Sequence, residues 1–229
     1  MSKKYKEIEG EPIVTSQKLV INCKDNVMKA DFEKASDFLK ECNLKHKDNL
    51  QMELLFEETA LMLGQITKDF SALLWFEKFE NYCCLKLTAK TEMNYEKKEE
   101  LISVSSSKQN ALAKGFMGKI ADIIETGLMD FDYVARLQQE YGGTNVGFGS
   151  MGIYDGFDGV GNLSAAWYLS DYKDSLNEEI EDPSPENDAN LKAWDELEKS
   201  IVASIAEDVI VGTKSDVIEM TIVKALKNV

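Results

Sequence analysis

One carboxylate stands among apolar residues, and it is the first candidate for chemistry. At a helical period, Glu58 lies in the middle of an apolar arc of a helix predicted over residues 50–66. A buried carboxylate is costly unless it is hydrogen-bonded, ion-paired or directed into a cavity. Glu58 is therefore either a structural carboxylate or one that faces a ligand cleft. The arc consists of Leu54, Leu55, Leu61 and Met62.

A second candidate is a stretch rich in serine, glycine and lysine that opens another predicted helix. Free backbone amides at a helix N-terminus favour anions such as phosphate. The Walker A spacing GxxxxGK[ST] is absent, so the stretch indicates an anion site of another kind. The candidate phosphate-binding residues are Ser105, Ser106, Ser107, Lys114, Gly115, Gly118 and Lys119.

Metal and histidine chemistry find little support in the sequence. His46 is the only histidine and lies in a charged loop, which excludes a histidine triad and a multi-histidine metal site. Residues 155–162 have the acids and glycines of a calcium loop but lack the ligand spacing and closing Glu of an EF-hand. Turn formation accounts for them, and we predict no metal site.

The charge of the chain limits the classes of partner. Its 229 residues carry a formal net charge of −15, with a pI near 4.6. Because nucleic-acid affinity comes from Lys and Arg that displace counterions, binding to nucleic acid or an anionic membrane is disfavoured. The acidic surface either steers a basic partner or serves only solubility, and the sequence leaves both open.

The cellular location of the protein is predicted from its cysteines and its hydropathy. The four cysteines include no CxxC pair, which indicates free thiols in a reducing compartment. No segment reaches the roughly 20 apolar residues that span a bilayer. We therefore expect a cytoplasmic protein.

Hydrophobic periodicity predicts an α+β fold with a mixed, largely antiparallel sheet covered by helices on one face. No convincing internal repeat is visible. Further helices are predicted over residues 29–42 and 191–208, and another near 120–128. Strands are predicted over residues 71–79, 82–91 and 165–172, a strand or hairpin over 11–22, and a hairpin over 209–224.

Composition predicts the domain organisation. Residues 1–176 are expected to form one α/β domain, and residues 177–190 an acidic, proline-containing linker. Residues 191–229 are too few to be comfortable alone, so their helix and hairpin are expected to pack on the same core. Eight of the 14 glycines fall between positions 142 and 161, which indicates a mobile loop, a lid or a set of tight turns.

The order of these elements over roughly residues 30–172 resembles the GHKL (Bergerat-fold) ATPases. The nearest resemblance is to the histidine-kinase-like ATP-binding domain of bacterial anti-sigma factor kinases. In the family's Glu-x-x-x-Asn motif, Glu58 matches the catalytic Glu and Met62 stands at the magnesium-binding Asn. Thr91 lies in the place of the adenine-binding motif. Gly115 and Gly118 resemble the phosphate-binding glycines.

The resemblance implies a Bergerat-like sandwich and a divergent ATP-binding regulatory protein, similar to an anti-sigma factor. Because Met62 in place of the Asn removes an oxygen ligand of magnesium, the resemblance favours ATP binding without turnover and makes a bound magnesium ion doubtful. A regulatory protein is the implied partner, and a homodimer stays open. The alternatives are a protein-interaction module that binds no nucleotide and an enzyme that uses Glu58 as a general base.

Overall fold

The computed structural model describes residues 10–22, 29–65, 70–91, 115–127, 165–181, 187–214 and 217–226. Ser105, Ser106, Ser107, Lys114 and the predicted glycine-rich segment 142–161 lie outside these residues. The strands are β1 (Val14–Thr15), β2 (Leu19–Asn22), β3 (Phe70–Lys78), β4 (Tyr82–Thr91), β5 (Ala165–Tyr168), β6 (Asp208–Lys214) and β7 (Val217–Ala225). The helices are α1 (Lys29–Glu41), α2 (His46–Gln65), α3 (Gly115–Gly127), α4 (Leu169–Glu181), α5 (Asn187–Lys199) and α6 (Ile201–Ile205).

The strands form one sheet in the order β1–β3–β4–β7–β6–β5, and β2 also pairs with β3. Every pairing among the described strands is antiparallel. The predicted hairpin of β3 and β4 is present, with Lys78 opposite Cys83 next to the turn. The predicted α+β fold class is therefore confirmed.

The core lies between one face of the sheet and the helices. Along β4, Cys83, Leu85 and Leu87 are buried in this layer, whereas Lys86 and Thr88, which point to the other face, are partly exposed. Full burial of a leucine side chain contributes about 1.5–3 kcal/mol to the stability of the fold. On the opposite face, the buried cluster found in the described part of the chain consists of sheet and turn residues. These are Phe79, Cys84, Ile210 and Val223.

Two halves of the described chain share an order of elements that the sequence did not reveal. The N-terminal half runs β2–α1–α2–β3–β4, and the C-terminal half runs β5–α4–α5–β6–β7, with the short α6 before β6. The pairing of β3 with β4 has the same register as that of β6 with β7: Trp75 lies opposite Lys86, and the residues 135 positions later, Ile210 and Thr221, also lie opposite each other. Lys86 and Thr221 face each other between the central strands β4 and β7. The four central strands are thus related by an approximate two-fold axis between these residues.

Helix α2 confirms the helix expected over residues 50–66, but the prediction of its buried face was wrong. The buried face is centred near Thr59, which is about 100° around the helix from Glu58. Leu54 and Leu61, expected to be buried, are exposed. Periodicity failed because α2 is apolar around most of its circumference. The buried residues are Asp48, Met52, Leu55, Phe56, Thr59, Ala60, Met62 and Leu63.

The C-terminal half differs from the predicted secondary structure where β5 ends. The strand predicted over residues 165–172 ends at Tyr168, and α4 begins at Leu169. Residues 177–181 and 187–190 of the expected linker lie in α4 and α5. Strands β6 and β7 belong to the same sheet as β3 and β4. Their buried side chains join the same core cluster as those of α2.

Candidate functional site

The residues matched to the Glu-x-x-x-Asn motif lie on different sides of α2. Glu58 is partly exposed, at the boundary between the buried and the exposed face. Met62 is 2% exposed and belongs to the hydrophobic core. The place of the expected Asn is therefore filled by apolar packing, which offers no oxygen to a magnesium ion.

The glycine pair lies in the first turn of α3. Gly115 has a φ of 76°, a conformation that glycine adopts at little cost, and Gly118 is buried. The backbone alone therefore accounts for glycine at position 115. Thr91 lies at the end of β4, opposite Phe70. Helices α2 and α3 pack against each other, which brings together the elements that carry Glu58 and Gly115.

Lys119 connects α3 to two other helices. Its ammonium donates a hydrogen bond of 3.2 Å to the Tyr172 hydroxyl in α4 and lies 3.2 Å from Glu196 Oε2 in α5. The same nitrogen lies 5.6 Å from the centre of the Tyr172 ring. The ring of Trp167 lies next to those of Tyr172 and Phe116. In this structure, Lys119 therefore fastens α3 to the C-terminal half.

The described thiols are poor nucleophiles. Cys42, Cys83 and Cys84 are free and buried. Burial raises the pKa of the Cys84 thiol to about 12 and also raises those of Cys42 and Cys83. Because the thiolate is the reactive form, these cysteines contribute packing and little chemistry.

A buried carboxylate that sequence reasoning missed lies where β6 begins. Asp208 is 1% exposed and accepts hydrogen bonds of 3.0 Å from both the backbone N–H and the hydroxyl of Ser170. Burial raises the pKa of Asp208, and the hydrogen bonds from Ser170 and Val209 oppose this rise. Burial also lowers the pKa of Lys173, whose ammonium donates to the Ala203 carbonyl. Asp208 thus holds the start of α4 against β6.

A buried ion pair joins the two halves and was also missed. The Lys224 ammonium lies 3.4 Å from Asp48 Oδ1, and the two side chains are 5% and 7% exposed. Asp48 stands in the first turn of α2, and Lys224 in β7. The sequence carried a signal, since Lys224 takes a buried place in the alternation of Ile218, Met220 and Ile222.

The outer face of α2 carries an apolar stripe, which we call the α2 stripe. Leu50, Leu54 and Leu61 are 45%, 39% and 54% exposed, and they are three of the seven exposed large hydrophobic residues among those described. Glu57 and Gly64 complete the line and are also exposed. At about 100° per residue, all five positions fall within an arc of roughly 80°. The stripe is therefore straight and parallel to the helix axis.

The corresponding helix of the other half has a different surface. In α5, Leu191 is the exposed large hydrophobic residue, at 48%. Asp195 and Lys199 form an exposed ion pair one turn apart, and Glu198 is also exposed. Exposed leucines scattered singly are ordinary, whereas several along one line mark an interaction surface. The α2 stripe is therefore the candidate functional site of the described chain.

The surroundings of the stripe are acidic. Counted from the sequence, the net charges of α1 to α5 are −1, −3, −1, −4 and −2, giving −11, whereas the strands together carry +2. The helical layer therefore holds most of the negative charge. An apolar line set in this layer is suited to a partner that is both apolar and basic.

No cluster of three His, Cys, Asp or Glu side chains that could hold a metal ion occurs among the described residues. None of the helices in the described ranges has the length and apolar character needed to cross a membrane.

Comparison of the chain with protein-family models, curated proteins and solved structures gives no match.

Proposed function

We propose that the protein is a cytoplasmic regulatory protein that acts by binding another protein through its helical layer, rather than by turning over a substrate. The observation that carries the proposal is the α2 stripe, an exposed line of leucines on a helix whose other face is buried in the core. The buried charged side chains among the described residues support it, because Asp48 and Lys224 pair with each other and Asp208 holds α4. These groups are engaged in holding the fold together.

The test is affinity capture from an extract of the source cells with three immobilised proteins. These are the wild type, Leu61→Glu in the α2 stripe and Leu191→Glu in α5. Leu191 is a matched control because it is also an exposed leucine on a helix, and both variants add one negative charge. We expect at least one protein that the wild type and Leu191→Glu retain and Leu61→Glu loses. If all three folded proteins capture the same set, the proposal is wrong.

ATP binding is the second candidate, and it follows from the resemblance to GHKL ATPases. The observation in its favour is that α2 and α3, which would carry Glu58 and the glycine pair, pack against each other. Lys119 would have to leave Glu196 to reach a phosphate. A ligand that binds only the folded state raises its Tm. A rise in Tm at millimolar ATP that Lys119→Met reduces supports this candidate, and an unchanged Tm with and without magnesium rejects it.

A further inference from the structure

We propose that the α2 stripe binds an amphipathic helix with apolar residues along one side and Lys or Arg beside them. This inference rests on the proposed function and specifies the chemistry of the partner. The partner helix lies along α2 and covers the three exposed leucines.

The spacing of the stripe fits a second helix. Its residues are separated by four, three, four and three positions, from Leu50 through Leu54, Glu57 and Leu61 to Gly64. Alternating steps of three and four residues form the seam between two packed helices, in which each side chain enters a gap of the facing helix. At about 1.5 Å per residue the stripe is roughly 21 Å long, which matches about four turns of a partner helix.

The C-terminal end of the stripe allows close approach. Gly64 is exposed, and a Cβ built on it would meet no atom within 4 Å. The space above Gly64 is therefore open. A large side chain of the partner helix fits at this end, next to Leu61.

The charges of α2 select a basic partner. Glu57 is exposed within the line of leucines, and Glu58 beside it is partly exposed. Glu53 accepts hydrogen bonds from Ser36 and Asn49, so it is held on the side of α1. Lys or Arg on the partner, opposite Glu57 and Glu58, would pair with these two carboxylates. Such charge complementarity sets partner choice and orientation along helical seams.

The same charges disfavour a second copy of this chain as the occupant. In an antiparallel pairing that sets Leu54 opposite Leu61 of the other copy, Glu57 faces Glu58. In a parallel pairing in register, Glu57 faces Glu57. Like charges directly opposite each other across a helical interface are destabilising.

The test uses a fluorescent helical peptide of about three heptads, with Leu at positions a and d and Lys at positions e and g. One comparison peptide replaces each Lys by Glu, and another has the basic composition in scrambled order. Binding to the full chain is followed by fluorescence anisotropy at about 50 mM and about 300 mM salt. We expect the wild type to bind the basic peptide at least about tenfold more tightly than either comparison peptide, because a central anchor of an interface carries effects of this size.

The variants separate the α2 stripe from general attraction to an acidic protein. Leu61→Glu should weaken binding of the basic peptide by about tenfold or more, whereas the charge-matched Leu191→Glu should leave it unchanged. Glu57→Lys should shift preference towards the acidic peptide. Circular dichroism and the urea midpoint check that each variant is folded. Equal binding of the scrambled peptide, or equal loss in both leucine variants, would overturn the proposal.

If a second copy of this chain covers the α2 stripe, the outcome is different. Sedimentation would then show a wild-type dimer that Leu61→Glu converts to a monomer, and this outcome also overturns the proposal. The capture experiment distinguishes the failure of this inference from that of the proposed function. If the basic peptide fails but capture finds a protein that depends on Leu61, only the chemistry of the partner is wrong. If both fail, the proposed function fails as well.

Discussion

Helices α2 and α5 hold equivalent places in the two halves, since each is the second helix of its half and precedes a pair of antiparallel strands. Helix α2 exposes three leucines, whereas α5 exposes one leucine among charged side chains. Helix α5 also contacts α3, α4 and α6. Helix α2 likewise contacts three helices, α1, α3 and α6, so the two helices differ in their outer surfaces and not in how many helices they contact. Equivalent places in the two halves therefore carry an apolar outer surface in one case and a charged one in the other.

The interiors of the halves differ as well. Phe76 packs against the rings of Phe38 and Phe56, at distances of 5.7 Å and 5.8 Å between ring centres. The position equivalent to Phe76 is Val211, which is also fully buried. We therefore expect Phe76 to contribute more stability than Val211, and substitutions at these positions measure the difference.

The largest effect is expected for Phe76→Ala. Removing a fully buried aromatic ring should lower the free energy of unfolding by about 3–5 kcal/mol, from lost burial and the remaining cavity. Val211→Ala removes two methyl groups and should cost about half as much, at about 0.8 kcal/mol per carbon plus a small cavity. Urea unfolding of both variants gives the two values. Equal losses would show that the halves share stability evenly and would break the comparison.

The second effect concerns the ion pair of Asp48 and Lys224, which has no equivalent in the N-terminal half. The position equivalent to Lys224 is Ala89. Asp48→Ala leaves a buried ammonium without its carboxylate and should cost about 3 kcal/mol. The double variant Asp48→Leu with Lys224→Met should recover most of this loss, because an apolar pair replaces an ionic one. Urea unfolding measures the stability of both variants. A double variant as unstable as Asp48→Ala would contradict the interpretation that the loss comes from an unpaired buried ammonium.

The third effect is a pH dependence specific to the C-terminal half. Because burial raises the folded-state pKa of Asp208 above its unfolded value, the folded state holds this proton more tightly. The stabilising contribution of protonation is fully present below the unfolded pKa and is lost as pH rises through the folded pKa. Asp208→Asn should remove a slope of at most about 1.4 kcal/mol per pH unit in that window.

The measurement for Asp208 is urea unfolding of wild type and Asp208→Asn between neutral pH and about pH 4, near the ordinary pKa of Asp. Relative to the variant, the wild type should gain stability as pH falls. A difference between the two proteins that stays constant across this range would show that Asp208 does not titrate on unfolding.

The smallest effect is expected at Gly64, and it separates stability from recognition. Gly64→Ala should stabilise α2 by about 0.4–1 kcal/mol, because a Cβ meets no atom there and the unfolded chain loses freedom. The same methyl group narrows the space for a partner helix, so binding of the basic peptide should weaken. Thermal unfolding and anisotropy measure the two quantities. If stability and affinity rise together, Gly64 does not belong to the binding surface.

Much of the sheet could be predicted from the sequence. The alternation of Leu85, Leu87 and Ala89 with polar residues predicted strand β4 and its solvent-exposed face, because burial of one face imposes a period of two residues. The two-fold relation was hidden because equivalent positions share burial and not identity. Leu85 corresponds to Met220 and Leu87 to Ile222. Folding constrains which face a side chain occupies more tightly than which apolar residue stands there.

The candidate site was harder to predict, because it depends on long-range contacts. The periodicity of α2 predicts a helix, but only the packing of the sheet and of α1, α3 and α6 decides which of its apolar sides is covered. The start of α4 depends on Asp208, which lies 38 residues from Ser170 in the chain. The Glu58 prediction followed from a misplaced apolar face. The leucines of the α2 stripe were visible in the sequence but were assigned to the core.

The outermost strands of the described sheet are short, which limits the pairing of a strand from another chain. Strand β5 has four residues, and the opposite border of the sheet is divided between β1, with two, and β2, with four. Between β1 and β2, Ser16 is bound to β3 through its backbone N–H and its hydroxyl. Long, regular borders of a sheet recruit strands from other molecules and promote aggregation. Within the described residues these borders offer little template for strand addition, which agrees with the proposal that a partner binds side chains of α2.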